Sequence, residues 1–140
     1  MSKLFQCIAF VTLLLAIVLI LFIGFNLIYP YKTIEVVQPV PVCKEVYRPG
    51  ETLGVCMDYV KYTDQSARVQ RAFIDGVIFS LPVYKSSYLT GKHCIEDITT
   101  VIPESLPAGT YYMHVIIEYD FPPFRTVTYT FDTQKFTVVR

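Results

Sequence analysis

Cys43, Cys56 and Cys94, with His93 and His114, are the residues of this sequence best equipped for bond-making or metal binding. Three thiols allow at most one internal bridge and leave one over. Equally, free cysteine behaves as a small apolar residue and is often simply buried. Zinc would need several donors converging on one point, yet the sequence has no CxxC or HxxxH spacing. His93 and Cys94 are neighbours on an extended stretch, so their side chains leave opposite faces. The same geometry separates Glu96 from Asp97 and removes them as an acid–base pair. No GxSxG, HExxH or glycine-rich phosphate loop is present. No catalytic residue, metal or cofactor is therefore expected, and the reading is of a protein that is not an enzyme.

The strongest signal lies elsewhere. Ile8 to Ile28 is a run of 21 residues without a charge, with Thr12 and Asn26 its only polar members. As a helix it rises roughly 31 Å, the thickness of a bilayer's hydrocarbon core. A cleaved signal peptide would carry a shorter apolar region and a small-x-small cleavage site. This run instead ends Phe25-Asn26-Leu27-Ile28-Tyr29-Pro30. A retained signal anchor is the better reading. Lys3 and the amino terminus precede the run without an acid, whereas Lys32 after it is followed by Glu35. The positive-inside bias then puts the first residues in the cytoplasm and the rest outside, periplasmic or extracellular. Tyr29 and Tyr31 fall where an interfacial aromatic belt would lie.

Setting Lys3 aside, the remaining Lys and Arg are nearly balanced by the 12 Asp and Glu, and nowhere do basic residues cluster. A nucleic-acid surface needs a concentrated positive face, so no nucleic-acid partner is expected. The segment Lys32–Tyr47 is β-branched but interrupted by Pro39 and Pro41, which suits a broken edge strand or a linker. From Thr52 the residues alternate, with Leu53, Val55, Met57 and Tyr59 on one face. Asp75-Gly76 between two apolar runs predicts a hairpin, Lys85–Lys92 a polar loop, and His93 to Pro103 another strand. Tyr111, Met113, Val115, Ile117 and Tyr119 alternate again, and Val127, Tyr129 and Phe131 follow. Phe136 and Val138 fall on the opposite parity, which predicts a bulge near Asp132–Gln134. About seven or eight strands with turn signals describe a β-sandwich. The expected organisation is a cytoplasmic tail over 1–7, a transmembrane helix over 8–29, a first strand or linker over 30–47, and the sandwich over 48–140.

"PGETLGV" leading a strand, "IPESLPAGTYY" at a corner and a closing hairpin ending "FTVV" together resemble an immunoglobulin-like domain of bacterial and phage envelope proteins. The resemblance covers roughly residues 48–139 and concerns fold. It implies a tyrosine corner at Tyr111 or Tyr112. The chain departs from antibody domains in having no Trp and no Cys on the penultimate strand. The resemblance also implies that the strands of Cys56 and Cys94 are sheet neighbours, making Cys56–Cys94 the expected bridge and Cys43–Cys56 the alternative.

Phe121-Pro122-Pro123-Phe124 forms an apolar turn where a polar one is usual. Immunoglobulin-like topology would aim that turn at the end where the first strand starts, next to the bilayer. Three roles are open: contact with the membrane, contact with a protein partner, or capping of the domain's own core. The function expected is a tethered binding module that engages an envelope or surface protein. In the alternative, the helix itself is the active part, as a small membrane subunit or a lysis-related pore. Against a pore, Thr12 and Asn26 make no polar stripe and the run lacks a GxxxG face.

Overall fold

Twenty-six residues, Lys3–Ile28, form α1, and none of them is buried by the rest of the protein. This is one helix long and apolar enough to cross a membrane. A helix satisfies its own backbone, which hydrocarbon demands. Within the uncharged stretch from Ile8 to Ile28 the two polar side chains do likewise: Thr12 Oγ1 donates to Ile8 O and Asn26 Nδ2 to Phe22 O, both at 2.9 Å. The Ser2 side chain accepts from Phe5 N and caps the first turn. The helix consequently starts at Lys3, so most of the 1–7 stretch expected as a tail is helical.

The computed structural model describes residues 2–123 and 125–140, with the side chains of all of these except 94–99. The chain divides into two compact units, Met1–Tyr31 with Pro122–Arg125, and Lys32–Phe121 with Thr126–Arg140.

The second unit is built from strands. In chain order they are β1 (Ile34–Val36), β2 (Val46–Tyr47), β3 (Thr52–Lys61), β4 (Ala67–Asp75), β5 (Val77–Ser80), β6 (Tyr84–Ser86), β7 (Gly91–Val101), β8 (Gly109–Phe121), β9 (Arg125–Asp132) and β10 (Phe136–Val138). One sheet has the order β1-β3-β7. The other runs β2-β10-β8-β4-β5, with β6 also on β4 and β9 also on β8. β3 pairs antiparallel with β1 and β7, and β8 with β4 and β10; β4 pairs antiparallel with β5 and β6 as well, whereas β2 and β10 are parallel. The strands outnumber the seven or eight expected because two edges are interrupted. Both β5 and β6 pair with β4, and the segment expected as one polar loop contributes β6 and the start of β7.

Alternation places the core. Leu53, Val55 and Tyr59 of β3 are buried, as are Tyr111, Met113, Val115, Ile117 and Tyr119 of β8. They meet Val69 and Phe73 of β4 and Phe136 and Val138 of β10. Desolvating so many large side chains supplies the main driving force of such a fold. The parity change falls between β9 and β10. Thr133 is buried there, and its backbone N–H donates to Met113 O at 3.0 Å, while its Oγ1 accepts from Met113 N at 2.9 Å. The last inward side chains therefore step from Phe131 and Thr133 to Phe136 and Val138.

Residues 37–45 are a strap crossing from one sheet to the other. Val40 is fully buried and bridges Thr133 in parallel, and Val42 bridges Val55. Pro39 and Pro41 interrupt the ladder without detaching the segment, since Pro41 O accepts from Cys56 N and Gly54 O from Cys43 N. At the hairpin between β4 and β5, Gly76 has φ +66°, which glycine alone adopts without steric cost.

Candidate functional site

Strap and strand bring Cys43 against Cys56, and these two form the disulfide, their Cα atoms 6.1 Å apart. The bond is the alternative pairing, not Cys56–Cys94. β3 and β7 are sheet neighbours, as the resemblance implied, but register decides the partner. Cys56 lies opposite Glu96 and Cys94 opposite Asp58, so the two are two rows apart. The Cys94 side chain lies outside the described residues. Cys7 is exposed near the start of α1. Among the described residues no cluster of three His, Cys, Asp or Glu side chains could hold a metal. His93 stacks on Tyr59 and its Nε2 lies 2.8 Å from Leu89 O, whereas His114 pairs with Asp132 at 2.5 Å.

The turn after β8 divides by residue. Phe121 is half-buried and packs against the core, so it caps its own sheets. Pro122 and Pro123 are exposed, and Phe124 lies outside the described residues. Pro122–Arg125 belongs to the same compact unit as α1. Within that unit the Arg125 guanidinium donates to Tyr29 O and lies 5.4 Å from the centre of the Tyr31 ring. Tyr31 also donates to Asn26 Oδ1 at 3.2 Å, and its ring meets that of Tyr29 edge-on at 5.0 Å. The two tyrosines read as interfacial anchors are thus joined to the helix end and to the turn.

Sequence reasoning passed over a second feature, a cavity of about 80 Å³ between the two sheets. Its wall is mainly apolar, including Met57, Val69, Met113 and Ile117, and it also carries two cations. Lys61 ends β3 and is only 3% exposed. Its Nζ donates to Tyr88 O and lies 5.8 Å from the centre of the Tyr119 ring. Burial lowers the Lys61 pKa below its ordinary value, and the field of Asp64 opposes this only in part. Burial likewise pushes the Tyr119 hydroxyl up to about 12. Asp64 is committed elsewhere, accepting from Thr90 N at 3.0 Å and from Thr90 Oγ1.

Arg71 enters from β4. Its Nη1 donates to the buried Thr100 at 2.6 Å, its Nη2 to Pro82 O at 3.3 Å, and its plane lies 4.5 Å from the centre of the Tyr84 ring. Its Nε is buried and has no hydrogen-bond partner among the described residues. Strand parity was the available signal for both cations. Lys61 follows Tyr59 by two, and Arg71 sits two from Val69 and from Phe73.

The lowered pKa of Lys61 has a consequence for stability. Below its folded-state pKa the buried ammonium is charged in both states and destabilises the fold. As pH rises from that value toward 10.5, the folded chain sheds the proton first and the penalty disappears. Lys61→Met is expected to raise the melting temperature at pH 7, with the gain over wild type shrinking as pH approaches 10.5. Paired melts across that range check it.

Fold and site together define a class: an apolar amino-terminal helix joined to a two-sheet β-sandwich whose interior holds two cations. No family model matches the chain, and no curated protein matches it. Among solved structures, similarity is found to Pseudomonas fluorescens alkylpurine DNA glycosylase AlkC bound to DNA containing an abasic site analog. There the identity is 12% and the TM-score 0.37, over 72% of this chain and 30% of that one. Spo0M, the sporulation control protein of Bacillus subtilis, is similar at 13% identity and a TM-score of 0.36. That match covers 76% of this chain and 48% of the other, so the chain spans less than half the length of either protein.

Proposed function

We propose that this chain is a single-pass membrane protein displaying a non-catalytic, immunoglobulin-like binding module on the non-cytoplasmic side, where it engages an envelope or surface protein. The observation that carries the reading is α1, which is unburied, whose stretch from Ile8 to Ile28 is apolar all round, and whose two polar side chains within that stretch bond to the helix's own carbonyls. Such a surface is compatible with lipid along its whole length.

Three further observations support the finer points. The sheet orders β1-β3-β7 and β2-β10-β8-β4-β5, with the amino-terminal β1 and β2 in different sheets, support the immunoglobulin-like part of the reading. Tyr111, at the start of β8, donates from its hydroxyl to Pro107 O at 2.8 Å, the hydrogen bond of a tyrosine corner. A bond between Cys43 and Cys56 suits an oxidising compartment outside the cytoplasm. Lipid contact by the turn after β8 draws support from its grouping with the end of α1. Arg125 there adds a cation suited to headgroup phosphates.

Topology is tested by labelling intact cells with a membrane-impermeant maleimide, before and after reduction, with denaturation before quenching. The domain is expected to gain two labels on reduction, at Cys43 and Cys56, while Cys7 labels only after permeabilisation. Labelling of Cys43 and Cys56 only after lysis would overturn the outward orientation and with it the class of partner.

A further inference from the structure

We propose that the cavity between the sheets is a binding site for a small amphipathic carboxylate, with its hydrocarbon among Met57, Val69, Met113 and Ile117 and its carboxylate on Lys61 Nζ. The argument is independent of the membrane topology. Along Met57, Val69, Met113 and Ile117 the void offers water no polar side chain, and water needs two to four polar partners. At about 80 Å³ it is roughly half the size of the cavity that admits benzene in an engineered protein, which points to a short chain. Two methionines in the wall adapt to such a guest through their flexible thioethers.

Head-group chemistry follows from Lys61. An ammonium offers three donors, and here one is committed to Tyr88 O. Among the described residues no carboxylate lies within ion-pair distance of Nζ, although the side chain is 3% exposed. A buried charge without a counter-ion is costly and is relieved by a ligand that brings one. A monoanion matches a single ammonium; a phosphate dianion would call for more donors. Arg71 is less suited to be the anchor. Two of its nitrogens are already bonded and its guanidinium carbon lies over the Tyr84 ring, 4.5 Å from the centre. Its Cα also stands four residues along β4 from Ala67, which is opposite Tyr119, a separation of roughly 13 Å along the strand.

The test uses the full chain in lipid nanodiscs, with carboxyl-¹³C propionate observed by NMR and empty nanodiscs as reference. Saturable binding to wild type is expected, weakened at least tenfold by Lys61→Met and largely restored in Lys61→Arg. Propan-1-ol, which keeps the chain and lacks the charge, is expected to compete at least tenfold less well. Ala67→Leu, which fills the void from β4, is expected to abolish binding while leaving Lys61 in place. Circular dichroism of each variant shows that it is folded. No saturable signal above empty nanodiscs, unchanged affinity in folded Lys61→Met, or equal competition by propan-1-ol would each overturn the proposal.

Discussion

Phe136→Ala is expected to cost about 3–5 kcal/mol, the largest loss from any single truncation in this domain. Phe136 is 1% exposed and sits where three other rings converge. Tyr47 and Phe73 meet it edge-on, each at 5.6 Å, and Tyr111 lies at 6.4 Å. Those rings come from β2, β4 and β8, so one side chain on a three-residue strand ties together most of the second sheet. Removing it deletes a large buried apolar group, leaves a void that three rigid rings cannot close, and forfeits three ring contacts. Small domains are stable by roughly 5–15 kcal/mol, so the variant loses a large share of its margin. Phe136→Leu keeps most of the volume and is expected to lose clearly less. Val77→Ala, on a side chain 60% exposed, is expected to stay within about 0.5 kcal/mol of wild type. Urea unfolding of the three variants checks the order. Equal losses for Phe136→Ala and Val77→Ala would contradict the packing described.

Strand parity made much of this legible beforehand. Once β8 was read as alternating from Tyr111 to Tyr119, its buried face followed, and the slip at Phe136 announced the break after β9. Parity also pointed inward at Lys61 and Arg71, yet composition argued the other way, because lysine and arginine are rarely buried. The fold breaks that ordinary rule, and the place where it does so is the cavity. The strap was obscured for a different reason. Prolines at 39 and 41 remove two backbone donors, but carbonyls still accept, and Pro41 O does so from Cys56 N. The apolar turn was half legible: Phe121 is close enough to β8 to share its packing, whereas the association of Arg125 with Tyr29 depends on contacts that no local pattern encodes.

Replacing Cys43 and Cys56 together by serine is expected to cost about 2–3 kcal/mol. Their separation of 13 residues closes a short loop, for which the lost entropy of the unfolded chain is worth roughly 3 kcal/mol. The bond also sits where the chain changes sheets. β1 pairs with β3, β2 pairs with β10, and the strap between them crosses over with few ladder bonds of its own. Without the bond, β1 and β2 are held at the edges of their sheets by three and two paired residues. Amide exchange in the double variant is therefore expected to accelerate most at Val36, Cys43 and Val139, whose N–H groups depend on that region, and least along β8. Reduction of wild type is expected to lower stability by a similar amount, and reduction of the variant to do nothing further. Cys94→Ser serves as the discriminating control. With Cys43 and Cys56 paired, it leaves the disulfide intact in non-reducing peptide mapping and leaves the response to reductant unchanged. Loss of that response in Cys94→Ser would mean that register does not govern the pairing, and the strap would then have to be held by something other than its bond to β3.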